Sequence, residues 1–198
     1  MIGFLNTLSD VKELPSLEPD SEFFEKLICL SQLVALVRTK VERSHGRDMT
    51  YRPEPEIGTR IAKQLSKLGS ALAVVYGKTE IDSDCYRVMQ KTAIDSCVGY
   101  QLEVVVSLSR RGTSGMSTKM LAESMNLSVA QIRKIIDDMM QLNIVRMRRE
   151  SNNSGRRGNK IKAFRLTNNV LELMEKSELS FKETKPTKKP SNRTKRKV

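Results

Sequence analysis

Apolar residues recur at helical spacing along most of this chain, and at strand spacing in one short stretch. From Ser21, the positions Phe24, Leu27, Ile28, Leu30, Leu33, Val34, Val37 and Val41 keep the interval of one helix face through about Arg43. Gly46, Pro53 and Pro55 then break the pattern in a loop. A second helix is predicted over about 57–76, with Ile61, Leu65, Leu68, Leu72 and Val75 on one face and Gly77 as its stop. Asp82-Ser83-Asp84 offers a cap for a third, running to about Asp95, with Tyr86, Val88, Met89, Ala93 and Ile94 available for burial.

YQLEVVVSLSRR predicts another helix from about Gly99, stopping before Gly112, and Thr113-Ser114-Gly115 forms a break. Ser117 caps a short helix over 118–125, Asn126-Leu127 turns the chain, and Ser128 caps a helix over 129–142. In that last helix Ile132, Ile135, Ile136, Met139 and Met140 make the apolar stripe, opposite Ala130, Gln131, Lys134 and Gln141. The period then changes to two: Val145 and Met147 alternate with Arg146 and Arg148 over 144–150. SNNSGRRGN is turn chemistry, Phe164 and Leu166 lie on a returning strand, and a final helix over 169–177 buries Val170, Leu173 and Met174. The expected fold class is mainly α with a small β-hairpin. It divides into an arm (1–20), a three-helix module (21–97), a helix-and-hairpin unit (98–177) and a disordered tail (178–198).

Composition narrows the partners. In 198 residues, 35 Lys and Arg stand against 23 Asp and Glu, a net +12 that suits a nucleic acid or another anionic surface. Cys29, Cys85 and Cys97 sit inside apolar helical patterns without a CxxC pair, and His45 is the only histidine, so they are expected to be reduced core residues and no metal site is expected. No Ser-His-Asp, Cys-His or paired-carboxylate arrangement is supported by spacing, so no catalysis and no cofactor are expected. With no leader pattern and no run of about 18 apolar residues, the expectation is a soluble intracellular protein without a membrane partner. Its oligomeric state is not legible.

The segment from Met120-Leu121-Ala122, through Leu127-Ser128-Val129-Ala130-Gln131-Ile132, to Ile136, Met139 and Leu142-Asn143-Ile144-Val145, resembles the winged helix-turn-helix domains of bacterial and archaeal regulators and of many replication proteins. The resemblance covers residues 99–176. It implies that the 129–142 helix enters a major groove of double-stranded DNA, in transcription regulation or replication, in the cytoplasm at the nucleoid, or in a nucleus. Gln131 would pair with adenine, Arg133 or Lys134 with guanine or phosphate, and Ser128 with phosphate through its cap, Ala130 lying on the same face. Asp137 and Asp138 would repel the backbone, which confines contact to the first two turns.

Charge concentrates in the hairpin. Residues 133–165 carry ten basic side chains against three acidic, a local +7 that includes Arg146, Arg148, Arg149, Arg156, Arg157, Lys160 and Lys162. The glycine-flanked pair Arg156-Arg157 suits a wing tip on a minor groove or a phosphate backbone. The alternative is a protein-binding module with solvated arginines. The tail from Ser177 adds eight basic and two acidic residues and reads as a nonspecific nucleic-acid arm, a nuclear signal or a solubilising segment.

Gly77-Lys78-Thr79 has the ending of a P-loop, but Leu72 stands where its first glycine belongs, so it is read as a helix stop. Residues 21–97 carry a second resemblance, through Glu56-Ile57-Gly58-Thr59-Arg60-Ile61-Ala62, Leu65 to Leu72, Tyr76-Gly77-Lys78-Thr79-Glu80-Ile81 and the helix with Tyr86, Val88 and Ala93. These resemble the helical lid of AAA+ ATPases related to minichromosome maintenance helicases. The resemblance implies a lid arginine at Arg60 sensing a nucleotide's terminal phosphate, with a separate P-loop ATPase subunit acting in trans. The rival reading is therefore the lid and winged-helix portion of such an ATPase.

Overall fold

The structure, a computed structural model, describes residues 21–42, 53–150 and 161–181. Among these residues are seven α-helices and one two-stranded antiparallel sheet, so the fold is mainly α with a small β-hairpin. The expected arm, the hairpin tip and most of the basic tail lie outside the described residues.

The first helix, α1 (Ser21–Arg38), is the wall between two apolar clusters. Leu27, Leu30, Val34 and Ala35 pack with Ile61 and Leu65 of α2 (Gly58–Val75) and with Tyr86, Met89 and Ala93 of α3 (Ser83–Asp95). Cys29, Leu33 and Val37 enter a larger cluster built on Val104, Leu121, Ile132, Ile136, Phe164 and Val170. A helix apolar around most of its circumference is a core helix. Each such aliphatic side chain, fully buried, contributes about 1.5–3 kcal/mol.

Three expectations for this half are corrected. Helix α1 ends at Arg38, not near 43, because the buried Thr39 hydroxyl donates to Ala35 O at 2.7 Å and accepts from Glu56 N–H at 3.1 Å, tying the chain to the entry of α2. Val41 is half-buried against the larger cluster from outside the helix. Phe24 is 50 % exposed; its neighbour Phe23 turns inward instead, edge-on to Tyr86 with centroids 5.6 Å apart. Val75 is exposed in the last turn of α2, just before the chain reverses at Gly77.

That reversal is the expected glycine stop. Gly77 has φ 65°, its N–H donates to Val74 O at 3.0 Å and the Lys78 N–H to Ala73 O at 2.8 Å, the paired bonds of a Schellman motif. Asp82 then caps α3 by accepting from Cys85 N–H at 3.0 Å, and the Lys78 ammonium beside it holds its carboxyl well below the usual range.

The remaining elements are α4 (Tyr100–Arg111), a 3-10 turn (Gly112–Ser114), α5 (Thr118–Met125), α6 (Val129–Gln141), β1 (Val145–Glu150), β2 (Ile161–Leu166) and α7 (Asn168–Lys176). The three-residue link between α5 and α6 turns on Asn126 at φ 54°, a left-handed conformation that asparagine tolerates better than most residues. Just past the Thr113-Ser114-Gly115 break, Met116 pairs with Phe164 through reciprocal backbone bonds of 3.0 and 2.8 Å. Helix α7 is clamped to the first half of the chain, since Ser177 O accepts from the Tyr86 hydroxyl at 3.0 Å and from Gln90 Nε2 at 2.7 Å. Ion pairs Lys26–Glu178 (2.8 Å) and Lys176–Glu25 (2.9 Å) flank the clamp, and Leu179 and Phe181 pack on the larger cluster.

Candidate nucleic-acid interface

Helix α6 buries Ile132, Ile136 and Met139, with Ile135 and Met140 half-buried beside them, as its apolar stripe requires. The stripe leaves Ala130, Gln131, Arg133, Lys134 and Asp137 exposed. Its start is a full capping box: Gln131 N–H donates to Ser128 Oγ at 3.2 Å, and Gln131 Oε1 accepts from Ser128 N–H at 3.0 Å and Ser128 Oγ at 2.8 Å. Both lone pairs of the Gln131 carboxamide oxygen are therefore engaged. A bidentate adenine contact needs that oxygen as an acceptor, so it would have to open the cap. The Ser128 hydroxyl is likewise committed as both donor and acceptor.

Helix α6 leads into the hairpin through a second Schellman motif, with Asn143 at φ 55° and Ile144 N–H bonded to Met139 O at 2.9 Å. Thr167 closes the hairpin base, donating from its N–H to Ile144 O at 3.0 Å and from its hydroxyl to Asn143 O at 2.9 Å. The strand register sets Val145 opposite Leu166 and Met147 opposite Phe164, alternating with Arg146 opposite Arg165 and Arg148 opposite Ala163. Val145, Leu166 and Phe164 are buried, but Met147 is 42 % exposed, contrary to the alternation: β2 lies between β1 and Met116, and at this rung the core covers Phe164 on β2 but not Met147 on the outer strand.

Arg146, Arg148 and Lys162 are exposed on the hairpin. Arg149 lies on β1 opposite Lys162, and Arg156, Arg157 and Lys160 fall outside the described residues. Two rungs of the ladder, Arg146 with Arg165 and Arg149 with Lys162, thus set basic residues opposite one another. Arg165 is one of the ten basic residues of 133–165, and the register sets it opposite Arg146. Arg60 is not part of this surface. It is exposed on α2, in a shallow groove with Thr59, Lys63, Gln64 and Lys67, and α2 packs on α1 and α3.

Elsewhere the chemistry is sparse. Cys29 and Cys85 are buried free thiols and Cys97 is half-buried, its thiol pushed up to about 11 by desolvation, so they behave as packing groups. Among the described residues no cluster of His, Cys, Asp or Glu could hold a metal ion, and no helix is long and apolar enough to cross a membrane. No family model, curated protein or solved structure matches this chain.

Proposed function

We propose that this protein binds double-stranded DNA as a winged helix-turn-helix, with α5–α6 as the helix pair and β1–β2 as the wing, and that it grips the phosphate backbone more than it reads sequence. The observation that carries this reading is the hairpin register. Arg146 is set opposite Arg165 and Arg149 opposite Lys162, and Arg146, Arg148 and Lys162 are exposed, so the two strands gather cations on one short ladder. A polyanion meets that concentration of positive charge with attraction.

The capping box supports the emphasis on backbone contact, since Gln131 is engaged at home and Asp137 is exposed one turn beyond Arg133 and Lys134. The test is titration of labelled duplexes at several salt concentrations. The expected result is a steep fall of log K with log salt and similar affinity across unrelated sequences. No binding at low salt, or a slope near zero, overturns the reading.

A further inference from the structure

Helix α2 is unlike the other helices in its charges. Its 18 residues include Arg60, Lys63 and Lys67 and no Asp or Glu. All three cations are exposed, line the same groove with Gln64, and make no ion pair among the described residues. The carboxylate at the foot of the groove, Glu56, faces Arg38 at 3.7 Å.

Two of these cations crowd the N-terminal half of the helix, where the backbone dipole already presents positive charge, and Ile57 supplies no side-chain cap. Isolated, the arrangement costs stability. From Arg60 to Lys67 the cations run along about 10 Å of helix axis, a length over which one strand of a duplex presents about three phosphates.

We propose that this face of α2 is a second nucleic-acid contact, distinct from the hairpin and separated from it by α1, that holds the phosphates of a second duplex segment. It rests on the DNA-binding reading for its partner class but uses none of the same residues. One chain would then bridge two duplexes.

The experiment uses the full chain carrying Arg60→Ser, Lys63→Ser and Lys67→Ser together, beside a second variant carrying Arg146→Ser and Arg148→Ser. An immobilised duplex is loaded with protein, and capture of a second, fluorescent duplex is read at several salt concentrations. The α2 variant is expected to bind the first duplex but to lose at least tenfold in capture of the second, with circular dichroism unchanged. Capture equal to that of the unsubstituted chain overturns the α2 proposal while leaving the hairpin reading intact. Capture of the second duplex by the hairpin variant equal to that of the unsubstituted chain sinks the hairpin reading instead, because bridging needs both faces. If the unsubstituted chain captures no second duplex the proposal fails, and Arg60-dependent binding of ATP would then make the face a nucleotide-phosphate site.

Discussion

The carboxamide oxygen of Gln131 accepts two hydrogen bonds from Ser128, one from its N–H at 3.0 Å and one from its hydroxyl at 2.8 Å. The side chain best suited to read adenine is thereby built into the start of its own helix. Ser128→Ala is expected to destabilise the protein by about 1 kcal/mol, the usual cost of an N-cap. Gln131→Ala should lower stability too, while leaving the ratio of affinities between duplex sequences unchanged. Urea unfolding and competition titrations check the two halves; a lost preference in the Gln131 variant would restore a base-reading role.

Arg146, exposed on β1 opposite Arg165, is expected to matter for binding and not for folding. Arg146→Thr removes an exposed cation and adds a strand-favouring residue, so the free protein should lose no stability. The same change should weaken binding to every duplex and reduce the salt slope by about one. Thermal unfolding and salt-dependent titration of the same preparation measure both.

Gly115 has φ 65°, and a Cβ there would lie 2.8 Å from Phe164 O, the carbonyl that accepts from Met116 N–H. Gly115→Ala therefore strains the backbone and pushes on the bridge that holds the hairpin to the helices. A loss of roughly 1–3 kcal/mol is expected, with amides near Met116 and Phe164 exchanging faster. Gly77→Ala, where a Cβ meets nothing within 4 Å, should cost less.

The Tyr86 hydroxyl donates to Ser177 O, and burial pushes its pKa up to about 12. An unfolded tyrosine ionises near pH 10. Between those values the unfolded chain loses a proton that the folded chain keeps, so stability should be intact below pH 10 and fall as pH rises towards 12. Tyr86→Phe should lower stability by about 1 kcal/mol near neutrality and flatten that alkaline decline. Parallel declines in both proteins would show that another group is responsible.

The helices were legible because their evidence is local. Ser117 and Ser128 cap where their spacing to an apolar stripe says they should, and Gly77 ends α2 through its own backbone geometry. The hairpin was legible from the change of period at Val145, although the exposure of Met147 was not, since alternation says which face a residue takes and not where the core stops.

Sequence by itself determined the fold class, the order of elements and the concentration of positive charge in the hairpin, because periodicity, capping and net charge are properties of neighbours in the chain. Tertiary structure decided what those elements do to one another. It set Arg146 against Arg165, since register depends on how residues 19 positions apart in the chain align. It paired Met116 with Phe164 and joined Tyr86 to Ser177, contacts between residues whose local patterns carry no trace of the other. It also gave α1 two clusters to serve, through two sets of apolar positions that in sequence read as a single face.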